Sequence, residues 1–488
     1  MSDGMLLGID EGTTGVKAAL FDQRLQPVAE ARRDKVNRHP EEGWVEQDGN
    51  EVLEVVTESI AELLEGADGE IIACGLDHQG ESVLAWDKET GEPLSPIVVW
   101  QDKRSQEILD ELADSEEEVK ELSGLPFDPY FSAAKLAWLL RHNDDVKKAR
   151  EDGRLRMGTV DSFLCDRLGS GFATEPATAS RTQLQRIDKP GFDERLCQIF
   201  GIPMDVLPEV RDTAGELGTL KHESWPVELP FRGQVVDQQA ALAGAACVEP
   251  GRVKATYGTG VFVLAHVGED VPKPAGGLLP TVAWSIDGKL EYALDGGVFA
   301  AGAMLEWMCN QLGIAEDPPA LSKLAREAKT SAGARVLPGL AGIGAPWWRP
   351  NARAVISGIY GGTTRENVAR AALEGIAWRV ADVVAAIRET APVDALRVDG
   401  GLTNEPLVLQ LQADSIGAAV EAAGADATVL GAAALGGVGA GVIGSLTELP
   451  EMLPAERRVE PEREESWRTT EHERWREFVR ATEALDPH

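Results

Sequence analysis

The chain has 488 residues, too many for one ordinary hydrophobic core, so two large domains are expected. Its 81 acidic against 47 basic side chains give a net charge of −34, a balance that repels nucleic acid and anionic membrane and argues against both as partners. The basic residues divide into 15 Lys and 32 Arg, with no Lys after Lys329; together with the acidic excess this suits a protein adapted to concentrated salt, the plainer alternative being an acidic mesophile.

The amino terminus lacks a basic segment ahead of an apolar one, so no secretion signal is expected. Five scattered cysteines without a C-x-x-C pair point to reduced thiols and a cytoplasmic setting. In chain order, Met5 to Ile9, a Gly/Thr turn and Val16 to Phe21 predict a β-hairpin. A helix is expected over Asn50 to Leu64 and a strand over Ile71 to Leu76. Val83 to Trp86 and Ile97 to Trp100 read as strands, Ala133 to His142 as helix, and a strand-then-helix pattern begins at Gly158.

The second half repeats the grammar of the first. Val253 to Tyr257, the turn Gly258-Thr259-Gly260 and Val261 to Val267 form a second hairpin. Leu396 to Val398 then runs through Asp399-Gly400-Gly401 into a helix from about Pro406. This implies a duplicated α/β domain, divided near Ala241 to Gly251 into residues 1–246 and 247–488. The apolar stretch Thr428 to Gly444, rich in Ala and Gly, reads as a packed buried helix rather than a membrane span. The tail from Pro454 carries Trp467, Trp475 and Phe478 on one helical face and is expected to dock as a terminal helix.

Four segments can carry chemistry. In Gly8-Ile9-Asp10-Glu11-Gly12-Thr13-Thr14-Gly15-Val16-Lys17, the turn offers backbone N–H groups and hydroxyls to a phosphate; Lys17 adds a point charge and Asp10 a ligand for Mg2+. The spacing is not that of a Walker A loop. The turn at Gly258-Thr259-Gly260 makes the same offer from the other half, so the two hairpins together suit one polyphosphate. Asp399-Gly400-Gly401-Leu402-Thr403-Asn404 permits close backbone approach by a base or ribose, or is a plain strand-to-helix turn. Asp237, after a short apolar strand and before a helix, fits a base for an attacking hydroxyl or a helix cap.

Further segments include Gly43-Trp44-Val45-Glu46-Gln47-Asp48, Val98-Val99-Trp100-Gln101-Asp102-Lys103-Arg104, and the run Asp128-Pro129-Tyr130-Phe131-Ser132-Ala133-Ala134-Lys135. Ala179-Ser180-Arg181-Thr182 and Gly344-Ala345-Pro346-Trp347-Trp348 follow. With these motifs in order, the chain resembles the FGGY carbohydrate kinases, in particular their glycerol kinase branch. The resemblance implies two actin/hexokinase/Hsp70-like (ribonuclease H-like) α/β domains closing over Mg-ATP, with a small polyol or sugar as acceptor; dimers are common among similar kinases. It implies that Gly12, Thr13, Thr14, Lys17, Gly258, Thr259, Gly302, Gly401, Asn404 and Glu405 contact ATP, and that Asp10 meets the metal. Asp237 is the implied catalytic base, and Gly80, Glu81, Trp100, Tyr130 and Asp237 the acceptor pocket.

Two departures bear on the acceptor. Glycerol kinases read Asn-Gln-Arg-Glu-Thr where this chain has His78-Gln79-Gly80-Glu81-Ser82, so Gly80 removes a charged fork and is expected to open space. Arg349 stands where those kinases usually carry Asp, as an exposed loop residue or a partner for an anionic acceptor. Glycerol, a tetritol, a pentose or a sugar phosphate such as ribose 1-phosphate all stay open. So does a non-catalytic nucleotide sensor on the same fold. The basic, glycine-rich loop that binds an allosteric sugar bisphosphate in bacterial glycerol kinases is not visible before Asp237.

Overall fold

A computed structural model describes residues 4–66, 69–273, 276–424 and 426–486. Thirteen strands build one sheet: β1 (Met5–Glu11), β2 (Gly15–Phe21), β3 (Pro27–Asp34), β4 (Ile71–His78), β5 (Ala214–Leu220), β6 (Leu229–Val236), β7 (Gly251–Tyr257), β8 (Val261–Gly268), β9 (Leu279–Ile286), β10 (Lys289–Val298), β11 (Val393–Asp399), β12 (Ala419–Ala422) and β13 (Arg457–Val459). Their order is β13-β12-β11-β7-β8-β10-β9-β5-β6-β4-β1-β2-β3. The helices that position the site are α1 (Gly49–Gly66), α2 (Ser132–His142), α3 (Pro176–Ser180), α4 (Asp237–Gly244), α5 (Gly302–Asn310), α6 (Arg365–Arg388), α7 (Pro406–Ile416), α8 (Ala427–Gly439) and α9 (Glu465–Ala481).

The repeat read from the sequence is present in the strand pairing. β1 runs antiparallel to β2 and parallel to β4, and β7 likewise runs antiparallel to β8 and parallel to β11. β1 is apolar along most of its length because both its faces are covered. Leu7 and Ile9 share a core with Val52, Val56 and Ile60 of α1, while Leu6 packs on the other face with Val429 and Ala433 of α8.

The two halves interlock more than a simple division of the chain suggests. Their sheets join where Ala214 of β5 pairs with Ile286 of β9. The apolar stretch after Thr428 is the buried helix α8, and it packs over β1, β4 and β6 of the first half and beside α4. Glycine permits this approach: a Cβ at Gly75 would overlap the Ala432 carbonyl, and one at Gly431 would overlap that of Ala240. Among the described residues no helix is long and apolar enough to cross a membrane. Helix α9 docks through buried Trp475 and Val479, whereas Trp467 stays partly exposed.

Candidate active site

Three carboxylates stand at the carboxyl ends of adjacent parallel strands, the edge of an α/β sheet where ligands bind. Asp10 of β1 is in register with Asp77 of β4, and Asp77 with Val235, two residues before Asp237, where β6 gives way to α4. The period of two therefore puts all three on one face. Burial pushes the Asp10 carboxyl up to about 6 despite its contact with Asp77. Burial, then the nearby Glu81 charge, pushes Asp237 up to about 7. Asp77 is wholly buried and neither of its oxygens has a donor, so burial and its carboxylate neighbours hold it well above the usual range.

The first Gly/Thr turn follows directly from Asp10 and links β1 to β2. Thr13 is fixed from both ends: Trp100 Nε1 donates to its hydroxyl at 2.9 Å and Gln47 Nε2 to its carbonyl at 2.7 Å. Thr14 is exposed and Gly12 half-buried. In the second turn Gly258 and Thr259 are exposed, and the amide of Gly302, first residue of α5, donates to the Gly258 carbonyl at 3.1 Å. A Cβ at Gly400 would overlap the carbonyl of Tyr257, so the third glycine turn lies against the second. Gly401 and Asn404 are exposed beside it, while Glu405 caps α7 and pairs with Arg326 at 3.2 Å. Structure thus gathers Gly258, Thr259, Gly302, Gly401 and Asn404, and turns the Glu405 carboxylate to structural work. The Lys17 ammonium pairs with Asp426 and Glu30, so it would have to leave these carboxylates to reach a phosphate.

Glu81, Tyr130 and Asp237, the residues expected to meet the acceptor, line one small chamber with Arg181 and Asp295. Trp100 lies behind Tyr130, its ring edge-on with centroids 5.5 Å apart. Glu81 adopts φ 57°, the left-handed region that favours glycine, and its carboxylate accepts from Arg181 Nε at 2.7 Å. Buried Lys135 holds this corner by donating to the Phe131 carbonyl at 3.1 Å.

Two expectations are overturned. Gly80 does not open space: a Cβ there would lie 2.7 Å from Cγ2 of Val236, which fills the gap. Arg349 neither lines the cleft nor sits exposed. Its guanidinium donates to both Asp486 oxygens at 2.8 and 2.7 Å and to the Val479 carbonyl, because the returning end of the chain brings it acceptors.

Sequence reasoning singled out no role for Asp77, Lys254, Arg181 or Asp295. Lys254 is fully buried near Asp237, Asp295 and Asp399, and its ammonium donates to Gln238 at 2.7 Å; burial pulls its pKa below the ordinary value. Arg181 sits 3.1 Å from Asp295, a pair 114 positions apart that no local signal could have announced. Size does not mark the site either. A groove of about 580 Å³ beside Lys17 and Phe21 is far larger and holds none of the three clustered carboxylates.

The model for the N-terminal domain of the FGGY carbohydrate kinases matches residues 5–244, and that for the C-terminal domain matches residues 253–440. A glycerol kinase from Thermococcus onnurineus is 39% identical over 483 residues, 98% of each chain, and one from Halorhodospira halophila is 38% identical over 98% of this chain and 97% of its own. The crystal structure of Plasmodium falciparum glycerol kinase with ADP superposes with a TM-score of 0.92 at 31% identity, covering 98% of both chains. A ligand-bound xylulose kinase from Lactobacillus acidophilus shares the fold at a TM-score of 0.89 and 22% identity, over 99% of this chain and 98% of its own. With both domains matched in order along one chain, this protein belongs to the FGGY family of carbohydrate kinases, ATP-dependent phosphotransferases with an alcohol group as acceptor.

Proposed function

We propose that the chain moves the γ-phosphoryl of ATP to a hydroxyl of a small polyol or sugar, with Asp237 as general base. The observation that carries this reading is Asp237 itself. It stands at the wall of the acceptor chamber, next to the Asp10 cluster, with a carboxyl poised at about 7. A base near the working pH can take the acceptor proton as the new P–O bond forms. A nucleotide sensor has no use for such a group.

The donor side of the reading uses Gly12, Thr13 and Thr14 together with Gly258 and Thr259; Thr14, Gly258 and Thr259 are exposed, and the amides and hydroxyls of such turns suit phosphate oxygens. Asp10, with the donor-less Asp77 beside it, fits a hard divalent ion, since Mg2+ is usually held by one or two carboxylates together with phosphate oxygens. When bound, Mg2+ supplies charge to offset that developing on the phosphoryl group. The five cysteines are buried and free, which supports a reducing, cytoplasmic setting.

Glycerol, the substrate in the names of the relatives above 30% identity, is the leading acceptor. Following ADP release with glycerol, erythritol, ribitol, ribose and a phosphorylated pentose, each against an acceptor-free blank, tests the reading. Acceptor-dependent turnover is expected; ADP binding without turnover on any of them would point to the sensor.

A further inference from the structure

The chamber at Asp237 is too small for a whole acceptor. Its inner part, walled by Glu81, Asp237 and Thr281, measures about 10 Å³, room for about one water or one hydroxyl. An acceptor that brings a hydroxyl to Asp237 must keep its remaining atoms elsewhere. Tyr130, Arg181 and Asp295 form a partition whose other side faces an outer chamber of about 90 Å³.

The outer chamber has a different chemistry. Phe131, Phe262, Leu279, Phe299 and Trp348 supply apolar side chains to its wall. Phe299 and Trp348 line it and stay 39% and 37% exposed. Trp348 is also fixed in place. Its φ of 47° is a conformation that a bulky residue rarely takes, and its indole donates to the Gly277 carbonyl. With Glu81 at φ 57°, the combined chamber has a strained non-glycine residue at each end, and such strain persists where surrounding structure enforces it, often at ligand sites.

Arg181 lies between the two chambers. Nε is used on Glu81, and Nη1, although 3.1 Å from Asp295, has no well-aligned acceptor. A buried guanidinium has five N–H donors, so this one has donors to spare at the partition. Sugars and longer polyols present an apolar C–H face together with a rim of hydroxyls, and aromatic walls beside a spare donor match both features.

We propose that the outer chamber is an acceptor subsite for the part of a sugar-sized molecule distal to its reacting hydroxyl, with the C–H face against Trp348 and Phe299 and Arg181 donating to an intermediate hydroxyl. This rests on the kinase reading above. Any discrimination between glycerol and longer acceptors then comes from the outer chamber and not from the missing side chain at Gly80.

Steady-state kcat and KM for glycerol, erythritol, ribitol and ribose, in the wild type, Trp348→Ala and Phe299→Ala, test it. ADP affinity serves as the control for folding. Either substitution should raise KM for the five-carbon acceptors by roughly 10- to 100-fold, the usual scale for lost contacts in an apolar pocket, with a much smaller rise for glycerol. Trp348→Phe should recover most of the loss. Equal effects on glycerol and ribitol, or none on either, would overturn the subsite while leaving the kinase reading intact. Turnover of no acceptor by a wild type that binds ADP would bring down both.

Discussion

Asp10 and Asp77 occupy paired positions on neighbouring parallel strands, and their side chains meet carboxylate to carboxylate, Asp77 wholly buried and Asp10 half-buried. Neither Asp77 oxygen has a donor, so a bond between the two requires a proton that one of them keeps. The first prediction concerns the cost of that arrangement. Asp77 has a folded pKa well above the ordinary value, so its contribution to stability is fully present below about pH 4 and is lost as pH rises through the folded value. Asp77→Asn puts an amide donor against Asp10 and removes the titration. The variant should melt a few degrees above the wild type at pH 8 in the absence of divalent ions, and the gap should shrink towards pH 5. A gap that does not change with pH would show that Asp77 is not held neutral.

Asp237 is the second test. As a general base it acts in its deprotonated form, so kcat/KM should rise as pH passes about 7 and level off above. Asp10, at about 6, is coupled to it, and the observed step belongs to the cluster. Asp237→Asn should lower kcat by about 10²- to 10⁴-fold while leaving nucleotide affinity within about twofold. Near-normal turnover in that variant would remove the proposed base.

Arg349 and Asp486 form a two-point ion pair, 13% and 20% exposed, that pins the end of the chain behind α9. Partial burial and paired hydrogen bonds place it above an ordinary surface bridge, so Arg349→Ala should cost about 1–2 kcal/mol. A double-mutant cycle with Asp486→Ala should recover a coupling of at least about 0.5 kcal/mol between the two. Turnover of neutral and phosphorylated acceptors alike should be unaffected. A selective loss with a phosphorylated acceptor would return Arg349 to the acceptor site.

Salt is the fourth variable. At a net charge of −34 with few lysines, self-repulsion destabilises the compact state until counter-ions screen it. Melting temperature and activity should keep rising with KCl well past about 0.1 M, where the Debye length is already about 10 Å. Equal stability and activity at low and high KCl would leave the acidic-mesophile reading.

What the sequence determined by itself was the local chemistry. The hairpin turns at Gly12 to Thr14 and Gly258 to Gly260, the glycine turn at Gly400 and the strand-to-helix switch at Asp237 each follow from residues within a few positions of one another, and backbone conformation is decided at that range. The ordered motifs added the family, and with it the expected base and phosphate loops. Only the tertiary structure decided where distant side chains point. Val236 fills the space beside Gly80, Arg349 turns to Asp486, and Arg181 bridges Glu81 and Asp295 across the partition of the acceptor chamber. Helix α8 returns from the second half to lie on the sheet of the first. Each of these is a contact between residues far apart in the chain. Its geometry is set by close packing of the whole interior, and no window of sequence carries that information.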